Sequence, residues 1–418
     1  MRIAIIGTGV SGLTCAYLLD DYHTVTVFEA SDYLGGHINT VDITLEGVKY
    51  SVDTGFIVYN EKTYPNFSTM LKQLDVTTQP SNMSFSVKCE RTGLEYKPTN
   101  LNSLFGQRGN LFRPEFFRMI RGMLTFNRCA AALLKEDGTY NETVKQFADR
   151  EKINKMTFEK FVVPMGSAIW SAPPSLMESF PIRYLARFYH NHGLLSLNDH
   201  PQWRVIKGGS REYIKKMTQN FSGSIRLNSR VIEVKRNKRG VALRVENSEF
   251  QDFDACVLAS HSDQALAMLS DPTQDETEIL SSIPFQENTA LLHTDSSVLP
   301  KRKRVWASWN SLIPQEEEGL VSLTYNMNML QSLNAPKTIC VSLNMDERIN
   351  PKKVIKKIVY HHPVYTEKSI EAQKRRYDIS GQNNTYYVGA YWQHGFHEDG
   401  VLSAIDVCKN FGVSFFHE

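Results

Sequence analysis

The chain has 418 residues, a net charge of +2 and 41% hydrophobic residues, which is enough for two domains that each bury a core. The near-neutral charge gives no indication of nucleic-acid binding, and no apolar stretch reaches the roughly eighteen residues of a membrane-spanning helix. The six cysteines are scattered without a close pair, which favours a reducing compartment and neither a zinc site nor a redox dithiol. We expect a cytoplasmic protein because Met1 leads directly into a strand rather than a signal peptide.

The first strand is followed at once by a glycine-rich turn. Residues 2–6 form a short apolar run, typical of a buried parallel strand. The turn Gly7-Thr8-Gly9-Val10-Ser11-Gly12 comes next, and residues 13–20 are predicted to form a helix. A strand, a glycine turn and a helix in this order are typical of a dinucleotide-binding unit.

Each glycine of the turn has an expected role. Gly7 permits the tight turn, Gly9 lets the backbone approach a pyrophosphate, and Gly12 lets the helix, whose N-terminus faces the phosphates, pack against the strand. A second predicted strand, residues 24–28, ends at Glu29, near the spacing at which an acid binds ribose hydroxyls. The acid argues against a 2′-phosphate and hence against NADP. FAD and NAD both remain.

Two further short motifs follow Glu29-Ala30. The glycines of Gly35-Gly36-His37 permit close approach of the backbone to a ligand, and Val52-Asp53-Thr54-Gly55-Phe56 completes the segment. In these motifs the sequence resembles the flavin-containing amine oxidase superfamily, which includes monoamine oxidases, protoporphyrinogen oxidases and phytoene-type desaturases. The resemblance implies that Ala30, Gly35, Gly36, His37, Thr54, Gly55 and Phe56 lie near the cofactor, with His37 where an arginine is usual.

Residues 61–200 have helical periodicity and many aromatic residues, and are predicted to begin a second domain. Within them, residues 104–134 combine five arginines with several phenylalanines and methionines and only one acid, Glu115. Such a segment can hold a helix on an anionic membrane surface or bind an acyl carboxylate. The alternative is a helix pair packed on its own domain with its arginines in solvent.

Aromatic and imidazole groups concentrate at residues 168–171 and 188–193, and are candidates to line a substrate cavity. Residues 188–193 are predicted as a strand, and a metal pair at His190 and His192 is not expected. Farther along, residues 306–310 and 323–328 are predicted strands suited either to walling an apolar cavity or to a core. The basic run 301–304 is interpreted as a solvated turn rather than a site for an acidic ligand.

From Trp203 the chain returns to the nucleotide domain. Gly208-Gly209-Ser210 precedes a predicted helix at 211–219 and a strand at 225–234, and a buried strand covers 253–259. This order again resembles the amine oxidases. In that family the backbone at the position of Val231 meets the adenine.

The C-terminal region has a third motif. A predicted strand, residues 386–390, contains Gly389, and Gly395-Phe396-His397-Glu398-Asp399-Gly400 precedes a predicted helix at 401–410. Gly395, Phe396 and Glu398 fall on the family's C-terminal signature, which implies cofactor contacts from Gly389, Phe396, Glu398 and Asp399. Physically, the motif offers a second helix N-terminus to the same cofactor. A zinc site at His394 and His397 is not expected, because no cysteine or third ligand is near.

The resemblance implies an α/β fold: a Rossmann-type FAD domain of three discontinuous segments and an interleaved substrate domain with a mixed sheet and helices. The FAD domain is assigned to 1–60, 203–262 and 383–418, and the substrate domain to 61–202 and 263–382. The implied cofactor is FAD rather than NAD. We expect it to be non-covalent, because no cysteine lies in 389–400.

The chain departs from the amine oxidases at two points. Residues 283–293, where those enzymes usually carry a lysine bonded through water to the flavin, contain none. Only Phe396 can be assigned to their pair of cage aromatics. A closer likeness is to bacterial flavoproteins encoded beside cyclopropane fatty acid synthases, through the Trp306–Asn310 stretch, Thr324-Tyr325 near Asn326, and Gly-Phe-His-Glu-Asp-Gly at 395–400.

The resulting prediction is an FAD-dependent oxidoreductase that transfers a hydride between flavin N5 and an apolar, lipid or fatty-acyl, small molecule. The catalytic residues are unknown; His190, His192, His293 and His397 are candidates for proton handling, because imidazole titrates near neutrality. The alternatives are an amine oxidase acting on a C–N bond, a non-catalytic flavoprotein partner of a lipid-modifying enzyme, and an NAD-dependent dehydrogenase.

Overall fold

The computed structural model describes residues 1–136, 142–196, 200–316 and 319–415; the last three residues of the predicted segment 383–418 lie outside these ranges. The strands are β1 Arg2–Ile6, β2 Thr24–Phe28, β3 Thr40–Leu45, β4 Val48–Asp53, β5 Tyr59–Asn60, β6 Thr78–Pro80, β7 Phe85–Cys89, β8 Leu94–Tyr96, β9 Trp203–Ile206, β10 Ser224–Arg226, β11 Val231–Asn237, β12 Gly240–Val245, β13 Phe250–Phe253, β14 Ala255–Leu258, β15 Phe285–His293, β16 Trp309–Ile313, β17 Ser322–Asn326, β18 Cys340–Leu343, β19 Val354–Pro363 and β20 Thr385–Tyr387.

The helices are α1 Val10–Leu19, α2 Pro65–Gln73, α3 Leu101–Leu104, α4 Pro114–Leu133, α5 Val144–Arg150, α6 Lys155–Thr157, α7 Val163–Trp170, α8 Pro174–Ser179, α9 Ile182–Asn191, α10 Arg211–Thr218, α11 Ser262–Met268, α12 Gln274–Ser281, α13 Met327–Leu330, α14 Glu367–Lys374, α15 Arg376–Ile379 and α16 His397–Lys409. No helix in these described ranges is long and apolar enough to cross a membrane.

A five-stranded parallel sheet carries the first glycine turn. Its strand order is β10-β2-β1-β14-β20, so it combines strands from all three segments predicted to bind the dinucleotide. Ile3, Ile5 and Val257 are fully buried within it, as expected for a parallel sheet covered on both faces. The α/β fold class is therefore confirmed.

The other large sheet has seven strands, in the order β19-β15-β18-β17-β16-β7-β8. Helices α4, α5, α7 and α9 pack over β7 and β8, and their buried side chains form one apolar cluster around Phe116, Phe126 and Tyr189. This sheet is mixed, because β16 pairs with β7 in parallel while the other strands pair antiparallel.

The strand predictions over 225–234 and 188–193 were wrong. The single strand predicted over 225–234 is split between the parallel sheet and a separate antiparallel sheet, because Asn228 takes a left-handed conformation with φ 51°. Residues 188–193 do not form a strand; His190 lies in α9, and His192 caps its C-terminus. No metal-binding group of three or more ligands occurs among the residues described.

The segment 104–134 is not a pair of helices. A 3₁₀ turn, Arg108–Phe112, leads into the single 20-residue helix α4. Phe116, Met119 and Phe126 are buried on one face of α4. The periodic apolar face therefore sets the helix against the core and leaves the other face in solvent.

Candidate functional site

One large cavity joins the two sheets. Its volume is about 1590 Å³, which exceeds the roughly 300–1,000 Å³ of a pocket for one drug-sized molecule. Residues from the glycine turn line one end, and apolar side chains of α4 and α7 line the other. The cavity therefore has room for a dinucleotide and a second molecule.

The glycine turn forms the floor of the first end. A β-carbon on Gly12 would overlap the carbonyl oxygen of Gly7, so α1 packs directly against the turn. A β-carbon on Gly9 would meet no atom within 4 Å, so at Gly9 the absent side chain leaves open space for a ligand. Gly9 is also the N-cap of α1, and the unpaired amides of a helix N-terminus attract phosphate.

Glu29 lies at the end of β2, beside this floor. Its Oε2 accepts hydrogen bonds from the Thr8 amide, at 3.0 Å, and from the Thr8 hydroxyl, while Oε1 accepts one from the Ser31 amide at 2.9 Å. These bonds fix the carboxylate on the cavity wall. Its remaining lone pairs can accept bonds from ribose hydroxyls.

The C-terminal motif closes the same end of the cavity. Phe396 is the N-cap of α16, and a β-carbon on Gly400 would lie 2.5 Å from Val10 Cγ1 and 2.9 Å from Ser11 Oγ. The N-terminal turns of α1 and α16 therefore lie side by side. Gly389 and Phe396 line the cavity close by.

Three residues expected near the cofactor have side chains that position the backbone instead. The Glu398 carboxylate accepts bonds from the backbone amides of Asn66 and Phe67 at the start of α2, and the Asp399 carboxylate accepts one from the Phe396 amide. The Thr54 hydroxyl bonds to Asn39 and Tyr360. None of the three is among the described residues that line the large cavity, because each side chain is turned toward another part of the backbone or core.

The Gly208-Gly209-Ser210 loop is held by the buried carboxylate of Asp53, for which the sequence predicted no role of its own. Asp53 Oδ1 accepts bonds from the Ser210 amide and hydroxyl, both at 2.8 Å, and from Thr40 at 2.6 Å. Burial raises the pKa of Asp53 to about 6. Asp53 therefore fixes the start of α10 against the β3–β4 hairpin.

Apolar side chains from α4, α7 and the seven-stranded sheet dominate the second end of the cavity. They include Met83, Phe85, Leu104, Ile120, Met123, Leu124, Phe161, Met165, Ile169 and Leu194. Phe161 lies in a π-helical turn, Phe158–Val162, which comes just before Pro164; a proline lacks the amide that would continue a regular helix. The predicted wall residues Trp309 and Tyr325 line the cavity, whereas Trp306 does not.

Phe396 has an aromatic neighbour that the sequence did not assign. Phe188 stacks on it, with ring centroids 4.7 Å apart and planes at 25°. Rings in direct contact leave no gap for an amine between them. No lysine occurs among the described residues that line the cavity, in agreement with the lysine-free segment 283–293.

The four candidate histidines separate into two pairs. His192 and His397 line the cavity, whereas His190 and His293 do not. His293 is fully buried and bonds to Ser342 and to the Asp295 amide, so it belongs to the core. Burial lowers the pKa of His192 to about 4 and that of His397 well below its usual range, so both rings are neutral at pH 7.

The basic run 301–304 also has a structural explanation. Arg302 pairs with Glu95 at 2.8 Å, and the Lys301 amide donates to the same carboxylate. Glu95 is buried, so the acid that this run meets belongs to the protein itself.

Most of the cofactor residues predicted from the sequence share the cavity. Those that line it are Gly7, Gly9, Val10, Ser11, Glu29, Ala30, Gly35, Gly36, His37, Gly55, Phe56, Val231, Gly389 and Phe396. Gly12 lies behind the floor, in the packing position expected of it. Sequence reasoning missed His261 and the His361-His362 pair; the only sequence signal for the pair was two adjacent imidazoles near the end of a strand.

The residues present fit a flavin dinucleotide. The floor is open where Gly9 lacks a side chain, two helix N-termini adjoin it, and the buried Nε2 of His37 on its wall has no protein partner. No cysteine is among the described lining residues. The parallel sheet, the glycine turn and the acid at the end of β2 are together typical of a dinucleotide-binding protein.

Comparisons with known proteins agree. The profile of the flavin-containing amine oxidoreductase family matches residues 10–338. The chain is 23% identical to an L-amino-acid oxidase from Siganus canaliculatus over 319 residues, which cover 71% of this chain and 57% of that oxidase. The chain therefore spans little more than half the length of this relative.

Solved structures share the fold over nearly the whole chain. A CLA-producing fatty acid isomerase from P. acnes superimposes with a TM-score of 0.67 at 15% identity, covering 98% of both chains. Cyclohexylamine oxidase from Brevibacterium oxydans IH-35A superimposes with a TM-score of 0.69 at 15% identity, covering 98% of this chain and 99% of that one. The chain belongs to the flavin-containing amine oxidoreductase family, and its cofactor is FAD.

Proposed function

We propose that the protein is an FAD-dependent oxidoreductase that transfers a hydride between flavin N5 and an apolar, lipid or fatty-acyl, substrate. The observation that carries the proposal is the continuous cavity, whose glycine-floored end leads directly into an end walled by Ile120, Met165 and Ile169. Bound flavin supplies the hydride chemistry. The protein supplies orientation and excludes water with the apolar wall.

Several features favour this substrate class over an amine. Phe188 and Phe396 are in contact, and no lysine is found among the described lining residues. Glu29 is the only acid among them, and it lies at the end of the cavity opposite the apolar wall. A cationic amine would thus have no carboxylate partner at the apolar end. A structural neighbour is named a fatty acid isomerase, which fits the same substrate class.

The geometry supports two positions for proton handling. His397 stacks on Phe56 with centroids 3.4 Å apart and shares a hydrogen bond with the Tyr213 hydroxyl. His192 stacks on Phe188 at 3.9 Å. Because both rings are neutral near pH 7, each is suited to accept a proton rather than to donate one.

We further propose that the substrate arrives from a lipid surface. Phe112 is 87% exposed and Leu101 75%, and Phe117 and Leu124 of α4 are also exposed among arginines. Leu124 lines the cavity as well, so this surface is continuous with the apolar end. Arginines around exposed apolar side chains are typical of contact with anionic lipid.

The test is anaerobic spectroscopy of the purified holoprotein. We expect the flavin absorbance to bleach on addition of an unsaturated or cyclopropane fatty acid and to stay unchanged with primary amines. Bleaching by amines alone would favour a C–N oxidase. If no lipid and no amine changes the spectrum and a lipid-modifying enzyme co-purifies with the chain, the non-catalytic role is favoured.

A further inference from the structure

Four histidines gather beside the glycine turn. His37, His261, His361 and His362 all line the large cavity. The ring centroid of His37 is 5.3 Å from that of His362 and 6.4 Å from that of His261, and the rings of His261 and His361 are 5.9 Å apart. We call these residues the histidine cluster.

Backbone contacts place two members of the cluster on either side of the turn. A β-carbon on Gly36 would lie 3.6 Å from Gly9 Cα, and one on Gly7 would lie 2.8 Å from the carbonyl oxygen of Ala259. His37 follows Gly36 directly, and His261 follows Ala259 by two residues. The other two histidines reach the same place from β19.

The cavity offers few other positively charged side chains that could bind an anion. Among its described lining residues, Arg230 is the only lysine or arginine and Glu29 the only acid. Arg230 is exposed and adjoins Val231, the expected adenine contact, so it belongs to the opposite end of the dinucleotide. A diphosphate over the turn is therefore left with helix N-terminal amides and imidazoles as partners.

The imidazoles of His37, His261 and His362 are neutral near pH 7 when no ligand is bound. Burial lowers the pKa of His37 and of His261 to about 4 and that of His362 to about 3, and repulsion between the histidines adds to the effect. A nearby diphosphate favours the protonated form of each ring. Binding of the anion then requires a proton from solvent.

Neighbouring groups act on the cluster from each packed element. Glu287 on β15 lies 3.8 Å from His361 Nε2, and the ring of Tyr360 stacks on that of His37 at 4.8 Å. The Asn288 side-chain amide donates to His362 Nδ1 at 2.9 Å, which holds this ring in its neutral form with the proton on Nε2, where it can donate to a diphosphate. His397 contributes a further repulsion toward His37. Glu287 is thus the only acid that these contacts bring to the cluster.

We propose that the histidine cluster binds the diphosphate of FAD and that FAD binding is coupled to proton uptake. The inference rests on the proposed function, since it takes FAD as the bound cofactor. It assigns His261, His361 and His362 to the cofactor site, in addition to His37. It also predicts the sign of the pH dependence: FAD affinity falls as the pH rises.

The test is calorimetric titration of the apoprotein with FAD at pH 7.5, in two buffers of different ionisation enthalpy. We expect uptake of about one proton per FAD, and an affinity that falls by up to about tenfold per pH unit from pH 6 to pH 8. The diphosphate ester of FAD stays ionised throughout this range, so the proton is taken up by the protein. Riboflavin, which lacks the diphosphate, should bind without proton uptake.

Variants identify the groups responsible. We expect His37→Gln and His261→Gln each to reduce proton uptake and to weaken FAD binding more at pH 6 than at pH 8. The matched control is His190→Gln, at an exposed position outside this cavity, which should behave as wild type. FAD bound by wild type without proton uptake would overturn this inference alone. An apoprotein that binds no FAD would overturn the proposed function as well.

Discussion

Gly400 lies against Val10: a β-carbon on Gly400 would fall 2.5 Å from Val10 Cγ1. This contact joins the first turn of α16 to the first turn of α1, although 390 residues separate the two positions. Both helix N-termini therefore face the same end of the cavity. The closeness of the two residues brings the two ends of the chain together at the end of the cavity where we propose that the cofactor binds.

The first prediction concerns this contact. Gly400→Ala should push α16 away from α1, because the new methyl group meets Val10 and Ser11 in a packed region; overpacking of this kind costs about 1–3 kcal/mol. We expect FAD affinity to fall at least about tenfold and the thermal midpoint of the holoprotein to drop. The control is Gly109→Ala, where a β-carbon would meet nothing within 4 Å. Equal flavin content in both variants would contradict the assigned contact.

The second prediction concerns Glu29, the acid that we propose binds the ribose hydroxyls. Glu29→Gln keeps the size of the side chain but removes the charge that accepts bonds from Thr8 and Ser31. The loss of charged hydrogen bonds of about 1.5–3 kcal/mol should weaken FAD binding about 10- to 100-fold. Fluorescence titration of the apoprotein measures the change. An unchanged dissociation constant would remove Glu29 from the site.

The third prediction is a pH dependence of stability. Burial, with repulsion from Glu398, raises the pKa of Asp399 from 3.8 to about 7. The folded state then holds this proton at pH values where the unfolded state has lost it, so the residue's contribution to stability falls as pH rises from about 4 to 7. Between pH 5 and pH 7, wild type should lose about 2 kcal/mol more unfolding free energy than Asp399→Asn. Urea unfolding at the two pH values checks this, and parallel pH profiles would contradict it.

The fourth prediction concerns the exposed apolar side chains around α4 that we propose contact a lipid membrane. The double variant Phe112→Ser, Phe117→Ser removes two exposed aromatic rings and should reduce binding to anionic phospholipid vesicles by at least about tenfold. Phe250→Ser, which removes an exposed ring on β13, is the matched control. Vesicle co-sedimentation at low and physiological salt measures the effect. Equal binding by both variants would refute the assigned surface.

The cofactor end of the site was predictable because its signals are local. The apolar strand β1, the glycine turn and Glu29 all fall within thirty residues, and Gly12 packs directly against Gly7 within the same turn. The C-terminal motif at 395–400 was likewise recognised from a short run. Its helix begins at His397, four residues earlier than predicted, because Phe396 and Asp399 form the cap.

The rest of the site and of the fold depends on contacts between distant residues, which short sequence patterns do not encode. His37 meets His362 only because β19 pairs with β15 across the second sheet, a register set by residues far apart in the chain. The break at Asn228 depends on one residue with positive φ, which alternating hydrophobicity does not reveal. Likewise, Glu398 falls on a cofactor signature, but its carboxylate caps α2, which only the packed structure shows.

The central claim is that one cavity holds FAD and an apolar molecule side by side. Equilibrium binding of FAD to the apoprotein, measured with and without a saturating unsaturated fatty acid, tests it most directly. The account predicts one FAD per chain in both cases and one fatty acid bound beside it, and a loss of the fatty acid alone in Ile169→Trp. Displacement of FAD by the fatty acid, or no binding of FAD, would contradict it.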